Sequence, residues 1–254
     1  MIVTSFHGMS RSGNHVIIHW TGYSRQGLYL NDMLRRRRYA LERGADLPPA
    51  RFTPSVLQAL SRRSLRKLFL DLPRLARGRI VVSLEDWPLD RPVFATRPRR
   101  QHEILILRDA PCLLASRVRA RMWDAGGSAA RSPSEAVAQW AARWKQHARE
   151  FLGETRHLPG HCGILYDRWI ADPAYRAALA ERLGIVPDEA ALSIVPPQGG
   201  GSSFEGMAPL GADAVTRRLS RFDMLSEEEK ALCAPVLADP EIAALRTRLF
   251  HRAP

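Results

Sequence analysis

The chain has 254 residues, 45% hydrophobic and 25% charged, a balance that excludes a disordered polymer and suits one well-buried domain over residues 1–254. No apolar run approaches the roughly 20 residues that span a bilayer, and Arg11 and His15 stand where a signal peptide would be apolar, so a cytoplasmic protein without a transmembrane segment is expected. Thirty-eight basic residues against 26 acidic ones leave +12, and all the basic residues but Lys67, Lys145 and Lys230 are arginines, whose planar forks suit phosphate and sulfate.

Short apolar runs without polar alternation predict strands at 2–6, 27–30, 79–84, 103–107 and 162–166. Helical periodicity fills the gaps at 14–23, 54–75, 110–122, 133–152 and 173–183, the last closed by Gly184. A turn-rich, arginine-heavy stretch at 91–100 separates the third and fourth strands. Pro196-Pro197 and Gly199-Gly200-Gly201 make 196–211 a loop, and Ser226 with Glu229 predicts a capping box at a further helix. Strand and helix alternate, so the expected fold class is α/β, a P-loop-type parallel sheet of about five strands with helices on both faces. Cys112, Cys162 and Cys233 have neither disulfide-framework nor metal-ligand spacing, and no nucleic-acid reader motif accompanies the dispersed arginines.

The first strand runs into Gly8-Met9-Ser10-Arg11-Ser12-Gly13-Asn14-His15. Gly8 and Gly13 have the spacing of a phosphate loop, in which backbone N–H groups converge on an anion. Asn14 stands at the Walker lysine and His15 at the magnesium-binding hydroxyl, which speaks against magnesium-dependent ATP or GTP hydrolysis. Ser12 also fits a helix N-cap. Further along, Arg108 leaves a strand and Ser116 follows eight residues later on the next helix.

These segments resemble the sulfotransferases that use 3'-phosphoadenosine 5'-phosphosulfate. Arg11 to His15 fits their (Lys/Arg)-Ser-Gly-(Thr/Asn)-(Thr/His) loop, and Arg108 with Ser116 fits their strand-end arginine and helix serine. Trp144-Lys145-Gln146-His147 is similar to a Trp-x-x-His element. Tyr166 followed by Asp172-Pro173 matches a tyrosine that faces the nucleotide, and Ser202-Ser203-Phe204-Glu205-Gly206-Met207 is similar to a segment whose ring stacks on adenine. The resemblance implies metal-independent binding of that donor by Ser10, Arg11, Ser12, Gly13, Asn14, His15, Arg108, Ser116, Tyr166, Ser202, Ser203 and Phe204. The family's Arg-Lys-Gly motif, which grips the 3'-phosphate, has Arg217-Arg218 as its nearest substitute, and Val16 replaces a tryptophan that would stack on the other adenine face.

For the reaction, the resemblance gives Arg11 the charge on the bridging oxygen as the sulfuryl group leaves. Asp86-Trp87-Pro88 places an aspartate in the slot where cytosolic members carry a histidine, and Glu85 lies beside it, so Glu85 or Asp86 is the expected catalytic base, with His7 and His15 in reserve. The alternative for either carboxylate is an ion pair with an arginine of 91–100. The expected acceptor is a hydroxyl or amine on a glycan, lipid or small molecule, and the basic surface favours an anionic one. Two other readings remain open: a nucleotide or small-molecule kinase with a degenerate phosphate loop, and a non-catalytic module that binds polyanions.

Overall fold

The computed structural model describes residues 2–32, 78–93, 100–124, 132–193, 203–204 and 213–250. The helix expected at 54–75 and most of the loop at 196–211 lie outside them. Five strands, β1 (Ile2–Gly8), β2 (Leu28–Leu30), β3 (Arg79–Glu85), β4 (Gln101–Leu107) and β5 (Cys162–Leu165), form one parallel sheet in the order β2-β3-β1-β4-β5. The fold class is α/β.

The strands lack polar alternation because both faces are covered. On β4, Ile104 and Ile106 join Phe6, Ile17, Trp20 and Trp169 in one core cluster. Leu107 packs on the opposite side with Met9, Leu113, Trp144 and Leu245. The first face carries α1 (Asn14–Trp20), α5 (Tyr166–Ala171) and α6 (Pro173–Leu183). The second carries α3 (Ala110–Arg119), α4 (Pro133–Phe151) and α9 (Pro240–Phe250). α2 (Tyr23–Gln26) leads into β2, and α7 (Ala214–Leu219) and α8 (Glu227–Leu237) follow the described part of the C-terminal loop.

Some boundaries differ from the sequence expectation. The helix expected at 14–23 is two helices, because Gly22 turns left-handed at φ 70 and caps α2. The helix expected from Ala110 ends at Arg119, before a 3₁₀ turn at Met122–Asp124. Tyr166 opens α5 instead of closing β5. The predicted Ser226–Glu229 capping box is present at α8. Cys112, Cys162 and Cys233 are buried free thiols, and burial raises the pKa of all three, Cys233 to about 11.

β1 has β3 on one side and β4 on the other, so the strand order reverses there. In an open parallel sheet that reversal leaves a crevice beyond the carboxyl ends of the strands, where ligands bind. Gly8 ends β1 at that crevice and Arg108 follows β4 into it.

Candidate functional site

The loop after β1 is tight and left-handed at two positions, Arg11 at φ 73 and Gly13 at φ 92. Its turn is held by the Ser12 N–H donating to the Met9 carbonyl at 3.0 Å, and the Ile17 N–H returns to the Gly13 carbonyl at 3.2 Å. Two glycines are required by close approach as well. A Cβ at Gly13 would lie 2.3 Å from the Tyr166 ring, and one at Gly8 would lie 2.2 Å from Asn14 Oδ1. Asn14 thus fills the hub of the loop. Ser12 Oγ donates to Asn14 Oδ1 at 2.9 Å, and Asn14 Nδ2 is buried with no partner. Ser12 is not the N-cap; Gly13 is, with no side-chain cap.

Beside the loop, Ser10 Oγ donates to Glu85 Oε2 at 2.8 Å, and His15 Nε2 lies 3.2 Å from Glu85 Oε1. The other ring nitrogen of His15 meets Tyr29 Oη at 3.0 Å. Burial and the Glu85 charge drive the Tyr29 phenol pKa far upward, so its proton stays in place. Burial lowers the Arg11 pKa, the Glu85 charge opposes this, and Arg117 adds to it.

Glu85 and Asp86 part company at the strand end. Asp86 turns left-handed at φ 55, is buried, and pairs with Arg117. Arg117 in turn lies over the Trp140 ring, 5.0 Å from its centroid. Asp86 thus has a partner on α3, because the left-handed turn carries it to the α3–α4 face while Glu85 keeps the register of Gly8. His7 is also on that second face, with Nε2 2.8 Å from Glu103.

Arg108 is 1% exposed, the most telling burial in the site. Its Nη1 donates to the Arg11 carbonyl at 3.1 Å and to Ser116 Oγ at 3.3 Å, its Nη2 donates to the Arg218 carbonyl at 2.6 Å, and its Nε has no partner. The guanidinium sits 4.9 Å from the Tyr166 ring centroid. Among the described residues it makes no ion pair, so a buried cation is held by neutral oxygens alone. The nearby Asp167 carboxyl is pushed upward by burial, which weakens it as a counter-charge.

Several further side chains surround this geometry. Trp144 Nε1 donates to the Arg108 carbonyl at 2.8 Å. Asp109 caps α3, and Arg246 from α9 clamps its carboxylate with bonds of 2.7 and 2.8 Å, setting the helix that carries Ser116. His147 is wholly buried and its Nδ1 meets the Arg143 carbonyl, away from the loop.

The C-terminal arginines separate from one another in the structure. Arg217 is exposed, and the Arg218 side chain reaches the Leu192 carbonyl at 3.5 Å. The Arg221 side chain reaches Ser116: buried, it donates from Nη1 to Ser116 Oγ at 3.0 Å. Its guanidinium lies 5.2 Å from the Phe204 ring centroid, and that of Arg119 lies 5.4 Å from it. Sequence reading missed Arg221 because nothing in Ser220-Arg221-Phe222 resembles a motif. Its signal was its distance from Arg218, three residues on, where a turn after α7 swings it back toward α3. Ser203 Oγ is buried without a partner, and Ser202 lies outside the described residues. No group of three or more His, Cys, Asp or Glu that could hold a metal ion occurs among the described residues.

No family model matches the chain, and no curated protein matches it. Among solved structures it is similar to the sulfotransferase domain of the Synechococcus PCC 7002 olefin synthase, with 15% identity and a TM-score of 0.46 over 99% of this chain and 96% of that one. A sulfotransferase domain from the curacin biosynthetic pathway is 16% identical with a TM-score of 0.47, covering 100% and 99%. Retinol dehydratase, solved with androsterone and the inactive cofactor PAP, is 14% identical with a TM-score of 0.47, covering 99% and 82%. Two of the three are sulfotransferase domains.

Proposed function

We propose that the chain is a sulfotransferase that takes its sulfuryl group from 3'-phosphoadenosine 5'-phosphosulfate and passes it to a hydroxyl or amine. The observation that carries this reading is the buried Arg108. Its guanidinium and that of Arg221 share one hydroxyl, Ser116 Oγ, beside a phosphate-type loop. Two buried cations converging on one hydroxyl favour a multiply charged anion in the crevice.

In this reading Arg108, Ser116 and Arg221 hold the 3'-phosphate, while the loop backbone and Arg11 hold the phosphosulfate. Ser12, Asn14 and the Tyr166 ring keep the loop in shape. Phe204, with Arg119 and Arg221 over its ring, supplies a flat cationic platform for the base. The donor supplies an activated sulfuryl group, less negatively charged than a phosphoryl group, for which arginine and amides suffice as electrostatic support.

Glu85 takes the acceptor's proton. It is kept facing the loop by Ser10 and His15, whereas Asp86 is committed to Arg117. Calorimetry with 3'-phosphoadenosine 5'-phosphate, with and without magnesium, tests the reading. Micromolar binding that ignores magnesium is the expected result. Absence of binding, or a preference for ATP with magnesium, sinks it.

A further inference from the structure

Ser10 and His15 flank the left-handed turn of the phosphate loop, Arg11 to Gly13, at positions where the resemblance expects nucleotide ligands. Their side chains turn to Glu85 instead. Ser10, buried, donates its hydroxyl proton to Glu85 Oε2 at 2.8 Å, and His15 Nε2 stands 3.2 Å from Glu85 Oε1. The backbone beneath is pinned as well: Glu85 pairs in register with Gly8, and the Asp86 N–H donates to the Gly8 carbonyl at 2.9 Å. A carboxylate has about four lone-pair sites, so one donor on each oxygen fixes its plane without exhausting its capacity to take a proton.

Tyr29, buried on β2, sets the histidine ring. Its hydroxyl meets His15 Nδ1 at 3.0 Å and lies 3.4 Å from Asn31 Oδ1. An ionised Glu85 only accepts, so His15 Nε2 carries the proton between them whether the ring is neutral or charged. With a neutral ring, Nδ1 accepts the Tyr29 proton. With a charged ring, Nδ1 donates to Tyr29 Oη and the phenol proton turns to Asn31. Tyr29 serves both cases because it keeps its proton. In either state both ring nitrogens of His15 and the single hydroxyl proton of Ser10 are committed, so neither side chain has an N–H or O–H left for a phosphate oxygen.

We propose that Ser10, His15 and Tyr29 are positioning residues that aim Glu85 at the acceptor, and that the side chains of Ser10 and His15 take no part in holding the nucleotide. This rests on the reading of Glu85 as the base. Ser10 and His15 belong to the same loop whose backbone holds the phosphosulfate in that reading, so a nucleotide that settles the loop also settles the base. One short segment then aligns the sulfuryl group and the proton acceptor together.

The test is a double-mutant cycle on the full chain, each variant checked for its unfolding transition. Calorimetry with 3'-phosphoadenosine 5'-phosphate gives affinity. Release of that product from 3'-phosphoadenosine 5'-phosphosulfate, with water as the acceptor, gives turnover. Ser10→Ala, His15→Ala and Tyr29→Phe should each lower turnover about tenfold or more, while affinity moves less than about twofold. Ser10→Thr should keep most of the wild-type rate. In the Glu85→Gln background the same substitutions should change turnover by less than about twofold, because they act through a carboxylate that is no longer there. If Ser10→Ala or His15→Ala does not fold, Tyr29→Phe decides alone. This proposal alone is overturned if affinity falls along with turnover, if the folded variants turn over as the wild type does, or if they slow Glu85→Gln as much as they slow the wild type. A wild type that does not bind the bisphosphate or consume the donor, or a Glu85→Gln variant as active as the wild type, overturns the reading beneath it and this proposal with it.

Discussion

Arg108 and Arg221 converge on the same hydroxyl from different parts of the chain, Arg108 at the end of β4 and Arg221 just past α7. Removing either should therefore weaken the bisphosphate nucleotide. Arg108→Ala is expected to cost roughly 1.5–3 kcal/mol, about 10–150-fold in affinity, as for a charged hydrogen bond lost to a phosphate, and Arg221→Ala a similar amount. Arg217→Ala, on an exposed side chain, should change affinity less than about twofold. Calorimetry on the three variants, each checked for its unfolding transition, measures this. Equal effects at Arg217 and Arg221 would return the grip to the Arg217-Arg218 pair. The neighbouring carboxylates separate in kind. Glu85→Gln should lower kcat by about 10²–10⁴ at saturating acceptor with the nucleotide held as before. Asp86→Asn should instead cost stability, about 3 kcal/mol, because it leaves the buried Arg117 uncompensated. Denaturant melts and turnover on both variants read the two effects independently, and a kinetic loss confined to Asp86→Asn reverses the assignment.

At the scale of elements, α4 supplies a pH signature. His147 is wholly buried, and desolvation, with Arg143 adding, lowers its pKa to about 3. The unfolded chain takes up this proton near pH 6.5 and the folded chain does not until about pH 3. The contribution of His147 is thus present above pH 6.5 and drains away as pH falls toward 3, with roughly 1 kcal/mol gone by pH 5.5. His147→Gln should flatten the fall in stability between pH 7.5 and 5.5 in denaturant melts. An unchanged slope would place the acid sensitivity elsewhere. The elements themselves were readable wherever apolar period and caps agreed. All five strands and the Ser226–Glu229 box follow from local sequence. What local sequence hid was decided by distant atoms. Whether Gly22 merely tolerates a helix or breaks it depends on the chain turning toward β2, and Ser12 serves Asn14 because a left-handed Gly13 takes over the cap. The partner of Asp86 was invisible for the same reason: it lies 31 residues on, across the sheet edge.

The whole molecule carries +12. Arginines gather at the crevice. Added salt should therefore weaken the bisphosphate nucleotide steeply and an anionic acceptor likewise, through screening of a long-range attraction. Titrations of the nucleotide at low and high ionic strength check this, and a flat response would mean that recognition is confined to buried contacts. The three sheltered thiols give the molecule a built-in clock. Cys112 Sγ donates to the Leu219 carbonyl at 2.9 Å, so this thiol can meet a reagent only when α7 lifts from α3. Cys233, in a different core cluster on α8, has no such tie to the crevice. Alkylation of Cys112 at neutral pH thus times the opening of the segment that carries Arg218 and Arg221. Saturating bisphosphate nucleotide should slow it at least about tenfold while leaving Cys233 labelling much less affected, following the bound fraction.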